Sequence, residues 1–353
     1  MLRISICDSE AAAVQRVVRD AAAAYGAAEA PEFLRCAPVI AHDLPRGLRQ
    51  AFMDFKIAER APAILVSGYP IDGGRIGRTP AHWRDERPRS NAVEEEMLLV
   101  LCASLLGDAF GWATQQAGRI VHDVLPIKGH EHEQIGTGSE ELIWWHTEDA
   151  FHPYAGDYVG LLCLRNPTGT ATTLGMLEGE RLSAGDTALL AQAQFVIRPD
   201  ESHQPKNQAS GSSNGGSHNG GSHVPAERSD GEDALYREIE AMNAAPPRVP
   251  VLYGRPGDYY LKLDPYFMDR TALPPEADAA LTHLIDAIDA SLVDVVLQPG
   301  DILFVDNCKA VHGRKPFTAT HDGNDRWLKR INVTRDLRKS RAGRSAPDSR
   351  IIG

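Results

Sequence analysis

Trp144-Trp145-His146-Thr147-Glu148-Asp149 sets an imidazole and a carboxylate two positions apart, just behind two tryptophans. In a β-strand, side chains i and i+2 share a face, so His146 and Glu148 point the same way while Thr147 points away. A metal held by such a pair needs a third ligand from elsewhere. Leu297 to Asn307 reads as a turn followed by an apolar strand, and beyond a second turn Val311-His312-Gly313-Arg314 puts His312 at the start of the next strand. Two imidazoles and one carboxylate on one face leave three positions open, the arrangement by which non-haem Fe(II) sites hold a co-substrate and O₂. A structural zinc site closes its shell instead.

His-x-Glu by itself is weak, because a chain with 13 histidines and 48 acidic residues offers accidental matches. His130-Glu131-His132-Glu133 is such a decoy: polar throughout and set between Gly129 and Gly136, it reads as a loop rather than a metal site. Context separates the two. Fourteen positions after His312 comes Arg326, and four later Arg330. In a strand both share one face, and an arginine's planar fork matches a carboxylate in bidentate fashion. The competing reading is a charged strand turned to solvent.

At 353 residues and 42% hydrophobic, the chain can bury one large core, and a single catalytic domain is the natural reading. A net charge of -11 argues against nucleic acid or an anionic membrane as partner. No apolar run approaches a bilayer span, and Asp8 and Glu10 stand where a signal peptide needs an apolar core. Cys7, Cys36, Cys102, Cys163 and Cys308 form no CxxC pair and read as reduced thiols, consistent with a cytoplasmic enzyme. Oligomeric state is not legible.

Alanine-rich periodicity predicts a helix from Ser9, as N-cap, to Tyr25. Further helices are predicted over Ala92 to Leu106, ended by Gly107, and over Glu276 to Ala290. From Arg119 onward, short apolar runs between turn residues predict strands in two short-stranded sheets with helices around them. Residues 1–115 thus read as a mostly helical part packed on a β core spanning 116–340. Residues 204–230 are rich in serine and glycine with almost nothing apolar, which predicts a flexible insert; His218 and His223 read as part of it rather than as metal ligands.

His146-x-Glu148, His312, Arg326 and Arg330 at these spacings resemble the clavaminate synthase-like group of Fe(II)/2-oxoglutarate oxygenases. Within that group the chain resembles the arginine β-hydroxylase branch known from viomycin biosynthesis. The similarity covers most of the chain and is strongest in Gly111–Gln116, Asp123–Gly129, His146–Pro167 and Asp325–Arg335. It implies a mixed α+β fold with a double-stranded β-helix (jelly-roll, cupin-like) core. It also implies Fe(II) on His146, Glu148 and His312, with 2-oxoglutarate and O₂ as co-substrates and succinate and CO₂ as products. Arg326 would meet the far carboxylate of 2-oxoglutarate together with Thr172 or Thr173, between which the motif does not choose. Arg330 would meet a substrate α-carboxylate, and Gln115 with Glu148 its α-amine, so a free L-amino acid is implied. Residues 204–230 correspond to a lid, whose flank brings Asp200, Glu201 and Ser202 towards the substrate.

At the far end, this branch clamps a guanidinium with Asp-x-Asp, and here the segment is Asp264-Pro265-Tyr266. A guanidinium offers five donors and suits a second carboxylate, whereas a ureido oxygen wants a donor such as a tyrosine hydroxyl. A charge-assisted hydrogen bond is worth roughly 1.5 to 3 kcal/mol, so the exchange shifts preference between arginine and citrulline by about one to two powers of ten. Both stay open, beside lysine, ornithine and cyclic guanidino amino acids. The reaction expected is hydroxylation at C3 or C4, in peptide antibiotic biosynthesis. A zinc hydrolase would have no need of Arg326, and a non-catalytic barrel would be expected to lack part of the set.

Overall fold

The computed structural model describes residues 1–85, 90–178, 181–204 and 230–353. Its larger sheet runs β1 (Leu2–Ser5), β2 (Ala63–Ser67), β14 (Ile302–Asp306), β6 (Tyr158–Arg165), β16 (Trp327–Thr334), β3 (Asp108–Trp112) and β17 (Ile351–Ile352), with β4 (Val121–Val124) also on β16. The smaller sheet runs β13 (Val293–Val295), β7 (Thr172–Met176), β15 (Ala310–Arg314) and β5 (Ile143–His146), antiparallel throughout. Two further small sheets pair β10 (Leu252–Arg255) with β11 (Asp258–Leu261), and β8 (Phe195–Ile197) with β9 (Arg248–Val249) and β12 (Met268–Asp269).

Alternation along the strands sorts apolar side chains into three layers. Ala63, Leu65, Leu303, Val305, Leu161, Cys163 and Leu328 join Leu174, Val295 and Ala310 of the smaller sheet in the core between the sheets. Their strand neighbours Ile64, Val66, Ile302, Phe304, Leu162, Trp327 and Ile331 face the opposite way. There they pack on α1 (Asp8–Tyr25), α2 (Pro31–Ile40), α3 (Arg46–Ala58) and α5 (Val93–Leu106). Helix α5 is apolar nearly all round and buried accordingly. The outer face of the smaller sheet, through Trp145 and Val311, packs on α8 (Pro275–Asp289) and on Leu190 of α6 (Ala184–Leu190). Helices α4 (Gly73–Ile76) and α7 (Asp230–Ala244) complete the described set. Two facing sheets with helices outside form the double-stranded β-helix.

Several expectations need correction. Helix α1 starts one residue earlier than expected: Cys7, not Ser9, is its cap, with Glu10 accepting from the Cys7 N–H at 3.0 Å. Strands β1, β2 and β3 lie before Arg119, and β2 pairs β14 antiparallel, so the N-terminal part supplies sheet as well as helix. The serine- and glycine-rich run with His218 and His223 lies outside the described residues. No helix among the described residues is long and apolar enough to cross a membrane, and all five cysteines are unbridged.

Candidate active site

Strands β5 and β15 pair so that His146 lies directly opposite His312, and their rings stand 4.8 Å apart. Gly313 makes this pairing feasible, since a Cβ there would fall 2.6 Å from the Ile143 carbonyl oxygen. Strand β5 ends at His146, and His312 sits in the middle of its strand rather than at the start. Glu148 therefore comes from a turn, yet its Oε2 lies 3.1 Å from His312 Nε2 and 3.9 Å from His146 Nε2. Asp149 closes that turn at φ 52°, a left-handed conformation that aspartate tolerates better than most residues.

Neighbouring groups fix the His146 ring and the Glu148 segment, while His312 Nδ1 is buried without a partner. The His146 Nδ1 is 2.8 Å from the Trp144 carbonyl and donates to it, leaving Nε2 as the ligand atom. Asn307 grips the Glu148 backbone on both sides, accepting its N–H at 2.6 Å and donating to its carbonyl at 3.0 Å. Burial alone would raise the Glu148 carboxyl, but Arg330 and the two imidazoles hold it well below the usual range. Burial opposes a charge on His146, yet Glu148 and Asp264 raise it to about 9, while burial lowers His312. A cation arriving here thus displaces a proton. All three ligand atoms lie within 4.8 Å of one another, and two imidazole nitrogens with one carboxylate suit Fe(II).

Arg326, Thr172 and Leu161 line the same cavity as the three candidate ligands. Thr172 faces it, whereas Thr173 turns away and donates to Asp294 at 3.2 Å. Arg326 is wholly buried, its Nε has no partner, and no hydrogen bond or ion pair to it exists among the described residues. Burial pushes its guanidinium down to about 10. Arg314 also lines the cavity but is committed to the Gly138 and Glu141 carbonyls at 2.5 and 2.6 Å. Arg326 is thus a buried cation lacking an anion.

A family model described as taurine catabolism dioxygenase TauD, TfdA family matches residues 93–332. The chain belongs to the TauD/TfdA dioxygenase family. This dioxygenase is 42% identical to L-ornithine/L-arginine 3-hydroxylase of Catenulispora acidiphila over 356 residues, covering all of both chains. It is 40% identical to enduracididine beta-hydroxylase of Streptomyces hygroscopicus over 352 residues, again end to end. The crystal structure of the non-heme iron oxygenase OrfP with Fe, succinate and (3S)-hydroxy-L-Arg superposes with a TM-score of 0.92 at 42% identity, covering both chains fully.

The dioxygenase gathers the remaining expected residues around the same cavity. Asp264, Tyr266, Asp200, Ser202 and Arg330 all line it. Thr147 ties the chain here: its N–H donates to the Leu263 carbonyl at 2.8 Å, and its Oγ1 accepts from the Leu263 N–H at 3.0 Å. That clasp binds the ligand segment to the one carrying Asp264. Burial, with Asp200 nearby, pushes the Asp264 carboxyl up to about 6. Tyr266 is 53% exposed, at the rim rather than the base. Gln115 is buried, with its Oε1 2.9 Å from Arg330 Nη2 and its Nε2 donating to Ser202 Oγ at 2.6 Å.

Three further residues escaped the sequence reading. His122 accepts from Arg330; Asn307 holds Glu148; and His203, fully buried, joins Asp149 at 3.0 Å and Thr114 at 2.7 Å. None sits in a motif: His122 is brought in by strand register, Asn307 by the turn that follows β14, and His203 by the short 3-10 turn Glu201–His203. The decoy is engaged in turn structure, His130 bonding Thr137 at 2.9 Å and Glu131 accepting from the Gly129 N–H at 2.8 Å.

Proposed function

We propose that this dioxygenase hydroxylates a free L-amino acid with a nitrogen-rich side chain at C3 or C4, with L-arginine first and L-citrulline second. Bound Fe(II) supplies the O₂ chemistry, coupled to conversion of 2-oxoglutarate into succinate and CO₂. His146, Glu148 and His312 hold the metal. Arg326, with Thr172, meets the far carboxylate of 2-oxoglutarate. Arg330 takes the substrate α-carboxylate, while Gln115 and Glu148 take the α-amine.

The observation that carries the arginine reading is the pair Asp264 and Asp200, which line one cavity near enough for Asp200 to help push the Asp264 carboxyl up. Each has one oxygen tied to local donors, Asp264 to the Tyr266 and Phe267 N–H groups and Asp200 to Ser202. Two neighbouring carboxylates repel until a cation joins them, which a guanidinium does and a ureido group does not. The named actions of both curated relatives support the same class. Tyr266 is the one observation that favours citrulline, through its hydroxyl. A place in peptide antibiotic biosynthesis and a cytoplasmic location belong to the same reading, the latter supported by five unbridged cysteines.

Succinate release with Fe(II) and 2-oxoglutarate, measured across arginine, citrulline, ornithine, lysine and asparagine, tests it. The expected order is arginine above citrulline and both above the rest. No stimulation by any of them would remove the substrate class.

A further inference from the structure

The two acceptors that the proposed reading gives to the substrate's ammonium are already taken by a protein cation. Arg330 Nη1 donates to Glu148 Oε1, and Nη2 donates to Gln115 Oε1 at 2.9 Å. The same Nη2 lies 2.8 Å from His122 Nδ1, which stands opposite Arg330 where β4 pairs β16. His122 Nε2 is 2.9 Å from the Arg119 carbonyl and donates to it, so Nδ1 is the accepting nitrogen and the ring is neutral. Burial, and then Arg330, push its pKa down to about 3. The Arg330 Nε is buried with no partner, a donor held in reserve.

We propose that an amino acid's head enters by exchange with this internal ion pair. The substrate ammonium replaces Arg330 at Glu148 and Gln115, and the freed guanidinium turns to the substrate carboxylate while His122 keeps hold of it. The inference rests on the reading of Arg330, Gln115 and Glu148 as the head-group site. Charge decides the outcome. An ammonium alone brings a second cation to acceptors Arg330 still occupies, and a carboxylate alone draws Arg330 off and leaves buried Glu148 short of donors. Only a zwitterion supplies both partners at once. His122 is a positioning residue here: a neutral acceptor on the far side of Arg330 that does not compete for the carboxylate.

Calorimetric binding to the anaerobic enzyme loaded with Fe(II) and 2-oxoglutarate separates exchange from ordinary additive contacts. The probes are L-arginine, agmatine without the carboxylate, 5-guanidinopentanoate without the amine, and butylguanidine without either. Exchange predicts that agmatine and 5-guanidinopentanoate bind no tighter than butylguanidine, with L-arginine at least about a hundredfold tighter than all three. Additive contacts put both single-charge probes midway, and that result overturns the proposal. In Arg330→Gln, agmatine should gain about tenfold over the wild-type protein while L-arginine loses; unchanged or weaker agmatine overturns it as well. His122→Leu should weaken L-arginine without weakening agmatine, and His122→Gln, which restores an acceptor, should recover it. Failure of L-arginine, L-citrulline and L-ornithine alike to bind the wild-type protein would strike the head-group reading itself.

Discussion

Arg326→Met should make the empty protein more stable and useless at once. The fall of the Arg326 guanidinium from the ordinary arginine range to about 10 is the cost of burying a cation with no anion beside it. At about 1.4 kcal/mol for each tenfold change, that is about 3 kcal/mol. Methionine keeps most of the aliphatic stem, so roughly 1 kcal/mol of packing is lost and about 2 kcal/mol remains as a gain. In a thermal melt this raises Tm by roughly 3 °C, since an unfolding entropy of about 2.1 cal/mol/K per residue gives about 1.4 °C per kcal/mol for 353 residues. The wild-type protein, loaded with metal without O₂, should then gain about 2.7 kcal/mol from 2-oxoglutarate at a hundred times its Kd. The variant should gain nothing from it. A variant that melts well below the wild type without co-substrate would refute the unpaired-cation argument. One that is still stabilised by 2-oxoglutarate would remove Arg326 from its site.

Tyr266→Asp should raise the arginine to citrulline ratio of kcat/KM by about ten- to a hundredfold; an unchanged ratio takes the tyrosine out of contact with the terminal group. The Asp264 carboxyl, at about 6, is neutral below that pH and ionised above it. Consequently kcat/KM for arginine should fall about tenfold per pH unit below 6, with a flatter profile for citrulline, and parallel profiles would count against a cation at Asp264. Asn307→Leu leaves the buried Glu148 N–H and carbonyl unpaired, so iron affinity should drop roughly ten- to a hundredfold in a metal titration while the fold persists. Iron retention at the wild-type level would show that the Glu148 turn holds itself.

The candidate metal group was legible because its spacing is local: one residue between His146 and Glu148, and one strand order that returns His312 beside them. Arg330 follows from the alternation of β16, whereas Arg326 precedes that strand, and a register shift between Trp327 and Leu328 separates the two, so alternation alone does not place it. The choice between Thr172 and Thr173 was not legible, because it depends on which threonine stands opposite Arg314 across β7 and β15. His122 was hidden likewise, its meaning set by a pairing partner about two hundred residues away in sequence. The N-terminal strands were missed because Leu2–Ser5 is short and the helices after it dominate the pattern, although Ile64 and Val66 gain their burial from those helices. Tyr266 lines the cavity, and its exposure, which the sequence does not reveal, sets it at the mouth.

The strand path of the larger sheet runs from β1, paired in parallel with β2, to β17, paired in parallel with β3, and these outer strands are four and two residues long. An unpaired strand edge is a template on which another molecule can add a strand. Here each outer edge is too short to serve as one, so the sheet that carries Arg330 stops without inviting a neighbour. Removing Ile351 and Ile352 would bare β3, the strand that leads directly to Gln115, and self-association would then begin beside the proposed substrate site.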